Sequence, residues 1–101
     1  MTGGFEALTN QLERVSDRYA ERFGVDRSDD WLLLKLQEEL GELVQAHLKL
    51  SGRGRGTVDP QAREDEAADV FCFLLLYCRR FGVDLDAAVD RKWLAHLKEP
   101  A

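Results

Sequence analysis

Five acidic residues stand inside the two most hydrophobic stretches of this chain, and they constrain its fold more than any other feature. Glu38, Glu39 and Glu42 occur in Glu-Glu-Leu-Gly-Glu, among the leucines of residues 32–50. Glu66 and Asp69 occur in Glu-Ala-Ala-Asp, directly before the apolar run from Val70 to Cys78. In the first stretch Leu32, Leu36, Leu40, Leu43, His47 and Leu50 recur at helical spacing. With Leu36 at the centre of that stripe, Glu39 falls only about 60° away, and Glu42 and Lys35 lie at its edge. In the second stretch the stripe is Val70, Phe73, Leu74, Tyr77 and Phe81. Glu66 is then about 40° from the centre and Asp69 at the edge. One arrangement, an inner carboxylate with an outer one three residues away, occurs twice.

The two pairs can meet. Helices are expected from about Asp30 to Ser51 and from about Pro60 to Phe81, with a short link between them that carries Gly52, Gly54 and Gly56. So short a link makes the helices antiparallel neighbours. Counted outward from it, Glu42 lies opposite Asp69, and Glu39 and Glu66 fall within about two turns of that level. Four carboxylates in a mostly apolar seam cannot all stay ionised unaided, because burying an isolated charge costs far more than a small domain can offset. Either some are protonated or a cation joins them. Oxygen ligands with no cysteine or histidine favour a hard divalent ion, Mg²⁺ first and Mn²⁺ second. Mg²⁺ held by a few carboxylates keeps positions open for phosphate oxygens, so the cluster points to phosphate chemistry.

The rest of the chain fits a single small domain spanning residues 1–101. A net charge of −5 with no Lys/Arg stripe argues against nucleic-acid binding. No apolar run approaches a transmembrane span, and the N-terminus shows no signal-peptide pattern. Cys72 and Cys78 point to different faces of one helix and cannot bridge each other, which suits a reducing cytoplasm. Phe5, Leu8, Leu12, Val15, Tyr19 and Phe23 mark a first helix that Gly24 stops. A fourth is expected from about Asp84 to Lys98, with Leu85, Ala88, Val89, Lys92, Trp93 and Leu97 on its inner side. No stretch alternates at strand period. The fold expected is all-α, a four-helix bundle. The third helix is apolar nearly all round, so a homodimer or homotetramer is expected, with the second and third helices in the interface.

Several conspicuous residues have ordinary readings at this stage. His47 reads as a core or interface histidine, and Trp31 and Trp93 as packing residues. The Gly-Arg-Gly-Arg-Gly link lacks the Lys-Ser/Thr ending of a P-loop and reads as a connector. Lys35 and Lys92 are the candidate phosphate contacts.

Lys35-Leu36-Gln37-Glu38-Glu39-Leu40-Gly41-Glu42-Leu43, followed after a link by Glu66-Ala67-Ala68-Asp69-Val70, resembles the MazG-type family of all-α nucleoside triphosphate pyrophosphohydrolases. Phe81-Gly82-Val83-Asp84-Leu85 and Ala88-Val89 resemble that family's junction between the third and fourth helices. The likeness spans about Leu32 to Trp93, and the chain departs from the family tail at Ala95 and His96. The resemblance implies Mg²⁺-dependent cleavage of a nucleoside triphosphate between the α and β phosphates, giving monophosphate and pyrophosphate, in the service of nucleotide-pool cleaning. It implies Glu39, Glu42, Glu66 and Asp69 as metal ligands, with Glu38 orienting water or holding a second ion. Phosphoribosyl-ATP pyrophosphohydrolases share the architecture and the chemistry and differ in substrate. A di-iron bundle would need Glu-x-x-His, and neither histidine falls three residues after a cluster glutamate. A helical interaction module without activity is the remaining alternative, and it leaves the carboxylates unexplained.

Overall fold

The computed structural model describes residues 4–100. Among them are α1 (Glu6–Phe23), α2 (Trp31–Leu50), α3 (Gln61–Arg80) and α4 (Leu85–Lys92), then a 3₁₀ segment (Leu94–Lys98), and no strand. The all-α expectation holds.

Local chemistry sets the helix ends. Gly24 takes φ 62°, a conformation costly for residues with a Cβ, and its N–H donates to the Ala20 carbonyl to close α1. At the start of α3 the Asp59 carboxylate accepts from the Gln61 N–H at 2.8 Å, with Pro60 preset for the first turn. Asp84 caps α4 in the same way, accepting from the Ala87 N–H at 3.2 Å. Asp30 occupies the cap position of α2 without a side-chain bond. Trp31 N–H instead reaches the Ser28 carbonyl at 3.1 Å.

Helices α2 and α3 pack along their length as an antiparallel hairpin, as the short link requires. The link is folded tightly back: a Cβ at Gly54 would stand 3.0 Å from the Lys49 backbone nitrogen, so this position needs glycine. Helix α1 lies on α3 and runs in the same sense. Phe5 meets Phe71 edge-on at 5.6 Å, and Asn10 and Glu13 both meet the Arg79 guanidinium further along.

Two expectations are corrected in α2. The seam is centred on Glu39 rather than Leu36, with Leu32 and Ala46 buried one heptad to either side. Leu40 and His47, expected inside, are exposed. The cause is that α2 carries leucine or valine on most of its circumference, so its periodicity admits two stripes about 100° apart. Helix α3 covers the stripe of Leu32, Leu36, Glu39, Leu43 and Ala46, and leaves Leu33, Leu40 and Val44 open to water. Helix α3 itself is better covered than its composition suggests, with Leu75, Leu76 and Cys78 buried between its neighbours.

The C-terminal segment also differs. Helix α4 ends at Lys92 rather than continuing to Lys98, and residues 89–100 are all exposed. The side chains expected on its inner side include Trp93 and Leu97, which are 72% and 83% exposed. A helix of eight residues is marginal without a packed face. Here α4 packs chiefly on its own 3₁₀ segment, and the chain tightens into that geometry instead of extending.

Candidate active site

The seam between α2 and α3 brings the acidic residues together. Glu39, Glu42 and Glu66 each offer one carboxylate oxygen, all within 4.8 Å of one another. Glu39 is the most enclosed, at 7% exposure, because it sits on the centre line of the hairpin. Asp69 stands on the rim and lines the cleft beside Glu39. Glu38 faces outward, one position round the helix, with its carboxylate 3.6 Å from the Lys35 ammonium. The Lys35 ammonium also lies 3.4 Å from Glu39 and 5.8 Å from the centre of the Phe73 ring.

The charges strain against this packing. Burial pushes the Glu39 carboxyl above its ordinary range, and the neighbouring Glu42 adds to the rise while Lys35 opposes it. Burial likewise raises Asp69, with Glu39 next in effect. For Lys35, burial works against the ammonium, but Glu38 and Glu39 outweigh it and its pKa goes up. One oxygen of Glu39 and one of Glu66 are buried with no hydrogen-bond partner. Such atoms carry a full desolvation cost. Three converging hard oxygens with two unsatisfied positions fit a small divalent cation, and the donor set excludes soft metals. Glu39, Glu42 and Glu66 would hold the ion, with Asp69 beside them.

A cleft of about 360 Å³ opens next to the cluster, between α1 and the hairpin. Lys35, Glu39 and Asp69 form its polar end. Leu12, Val15 and Tyr19 from α1 face Trp31 from α2 and Cys72, Phe73 and Leu76 from α3 along its apolar length. Trp31 is half-buried and meets Phe73 edge-on at 6.0 Å, so it walls the cleft besides packing. Its position was open to view in the sequence: Trp31, Lys35 and Glu39 are spaced by four and share one side of α2. Tyr19, Cys72 and Phe73 had no such signal, since only the packing of α1 onto α3 sets them opposite Trp31. The Cys72 thiol is raised by burial and then by Asp69, and stays protonated at neutral pH, which rules against a nucleophilic role. Lys92 lies outside the cleft, exposed on α4.

The raised carboxyls carry a pH signature. A carboxyl whose folded pKa exceeds its unfolded value takes up protons on folding, so it destabilises the fold above that pKa and stops doing so as pH falls through it. Glu39 and Asp69 both have this sign. In EDTA their combined contribution should make the protein more stable as pH is lowered from 7 through their folded pKa values, which lie above 4.5 and 3.8. With saturating Mg²⁺ the trend should reverse, because protons then compete with the ion. Thermal unfolding between pH 5 and 7.5 with and without Mg²⁺ checks this; parallel curves would contradict it.

No described helix is long and apolar enough to cross a membrane. Comparison with curated proteins and with solved structures gives no match. The family model of phosphoribosyl-ATP pyrophosphohydrolase, by contrast, matches residues 7–92, from the first turn of α1 to the last residue of α4. That family lies in the same all-α superfamily of nucleoside triphosphate pyrophosphatases as MazG, so the sequence resemblance found the superfamily and not the family. The chain belongs to the phosphoribosyl-ATP pyrophosphohydrolase family.

Proposed function

We propose that this protein is an Mg²⁺-dependent pyrophosphohydrolase that splits a nucleoside triphosphate between its α and β phosphates, releasing the monophosphate and pyrophosphate. The observation that carries this reading is the three-glutamate cluster, in which Glu39 and Glu66 each have a buried carboxylate oxygen without a partner, with Glu39 also lining a nucleoside-sized cleft. A bound Mg²⁺ would neutralise phosphate oxygens and lower the pKa of a coordinated water. Glu39, Glu42 and Glu66 would hold such an ion, with Asp69 on the acidic rim beside them. Glu38, outward of Glu39, holds the Lys35 ammonium beside the cluster. Lys35 gives the triphosphate a cation inside the cleft, where a desolvated ammonium is worth more than at the surface. Trp31, Tyr19 and Phe73 receive the base.

The family match favours a second reading of the same chemistry, in which the substrate is phosphoribosyl-ATP itself. A role in cleaning nucleotide pools belongs to the first reading only. Lys92 enters either site only from another subunit of a homodimer or homotetramer. The free thiols of Cys72 and Cys78 suit a reducing compartment, and the cytoplasm is the location we assign.

The deciding experiment is pyrophosphate release from ribo- and deoxynucleoside triphosphates and phosphoribosyl-ATP, in Mg²⁺ and in EDTA. Release from at least one, abolished by EDTA and restored by Mg²⁺ or Mn²⁺, is the expected result. Release that persists in EDTA would overturn the metal assignment, and no release from any of them would overturn the reading.

A further inference from the structure

Lys35 stands between two carboxylates of very different exposure, three and four residues further along α2. Its ammonium lies 3.4 Å from Glu39, whose side chain is 9% exposed, and 3.6 Å from Glu38, whose side chain is 58% exposed. Both separations exceed the about 2.7–2.9 Å of a charge-assisted hydrogen bond, so attraction between charges holds this lysine more than directional bonding does. Among the described residues no other basic side chain is paired with Glu39, Glu42, Glu66 or Asp69. Glu39 therefore has one countercharge, while its second oxygen lies buried without a partner. The lysine is itself largely enclosed, in the wall of the cleft and 5.8 Å from the centre of the Phe73 ring.

The two acids depend on the lysine to different degrees. Glu39 sits in the seam beside Glu42 and Glu66, where an uncompensated charge costs far more than at the surface. Glu38 is screened by water and gains little from any partner. A divalent ion held by Glu39, Glu42 and Glu66 would bring two positive charges to the carboxylate that Lys35 neutralises, and like charges so close repel. The lysine already reaches Glu38, so leaving Glu39 needs a change of side-chain rotamer and no movement of the helix. We propose that Lys35 is the resident countercharge of Glu39 in the metal-free protein, that metal binding displaces it, and that Glu38 receives it. Without metal the ammonium is engaged on Glu39. Once displaced, it stands at the polar end of the cleft with its charge open to a triphosphate. Metal and nucleotide then favour each other's binding, because each takes the lysine off Glu39. This inference rests on the pyrophosphohydrolase reading and adds to it the coupling between its two ligands.

Calorimetric titration of the nucleotide-free protein with Mg²⁺ tests the exchange without any turnover. Lys35→Met should bind Mg²⁺ about 10-fold more tightly than the wild type, since the ion no longer evicts an ammonium. Lys35→Gln, which keeps the position polar, should tighten binding likewise. Glu38→Gln should bind Mg²⁺ more weakly, because the displaced lysine loses its place, and that weakening should largely vanish in the Lys35→Met background. Unchanged or weaker binding in both Lys35 variants would overturn the exchange and leave the metal-dependent reading standing. So would an equal weakening by Glu38→Gln in both backgrounds, which would make Glu38 a ligand of the ion. If the wild type binds no Mg²⁺, the metal assignment and the exchange fall together.

Discussion

Replacing Glu39 by glutamine should abolish Mg²⁺-dependent pyrophosphate release, by about 10³-fold or more, while leaving the metal-free protein at least as stable as the wild type. The two halves of this expectation come from one fact. Glu39 is the centre of the α2–α3 seam, nearly enclosed, with one oxygen toward Lys35 and the other unpartnered. A glutamine fills the same volume with no charge to desolvate, so the cost behind the raised carboxyl disappears. Against this stands the loss of a pair with Lys35, which Glu38 still holds at 3.6 Å. If Glu39 is a ligand of the proposed cation, the same exchange would remove a hard anionic donor, and transition-state charge on the phosphates would go unmatched. Calorimetry in EDTA and pyrophosphate release in Mg²⁺, on the same preparation, check both halves. A variant that loses activity and stability together would show Glu39 to be a structural residue. A variant that keeps activity would remove it from the site.

The acidic cluster was legible because charge inside an apolar stripe is rare enough to need a reason, and because a short link fixes which turns of two helices face each other. Those two facts brought Glu39, Glu42 and Glu66 within reach of one ion on paper. The centre of the stripe was not legible. Helix α2 presents leucine at residues 32, 33, 34, 36, 40, 43, 48 and 50, and a helix apolar on several sides does not announce which side its neighbour takes. The choice between Leu40 and Glu39 was made by α3, whose own stripe had to be buried as well. The length of α4 was illegible for a related reason. Its heptad-like spacing through Trp93 and Leu97 shows a face to be covered without showing what covers it. The aromatic cleft needed the packing of α1 on α3, a contact between segments about 65 residues apart that no local pattern encodes.

Those uncovered faces lead to the second large expectation: the protein should sediment as a dimer or larger at micromolar concentration, and Leu40→Asp should convert it to a poorly stable monomer. The chain exposes 7601 Å², whereas a compact protein of its mass exposes about 5,800 Å². Its radius of gyration is 16.4 Å, against about 13 Å for a compact chain of this length. Large apolar side chains are among the exposed ones on every helix. Leu33, Leu40 and Val44 form one stripe on α2, and Trp93, Leu94 and Leu97 extend the apolar surface along the C-terminal segment. Burial of an excess of roughly 1,800 Å² by each of two copies falls in the range of obligate homodimers, well above transient contacts. The α2 stripe lies about 100° round the helix from Glu39, so a partner there would stiffen the helix that carries Lys35, Glu39 and Glu42 without occupying their cleft. An aspartate at position 40 would place a desolvated charge in the middle of such an interface, which costs several kcal/mol per ion. Sedimentation equilibrium of the two proteins, with unfolding measured at several protein concentrations, decides the matter. A wild-type monomer whose melting temperature does not depend on concentration would mean that the exposed leucines cover nothing and that α2 stands without a partner.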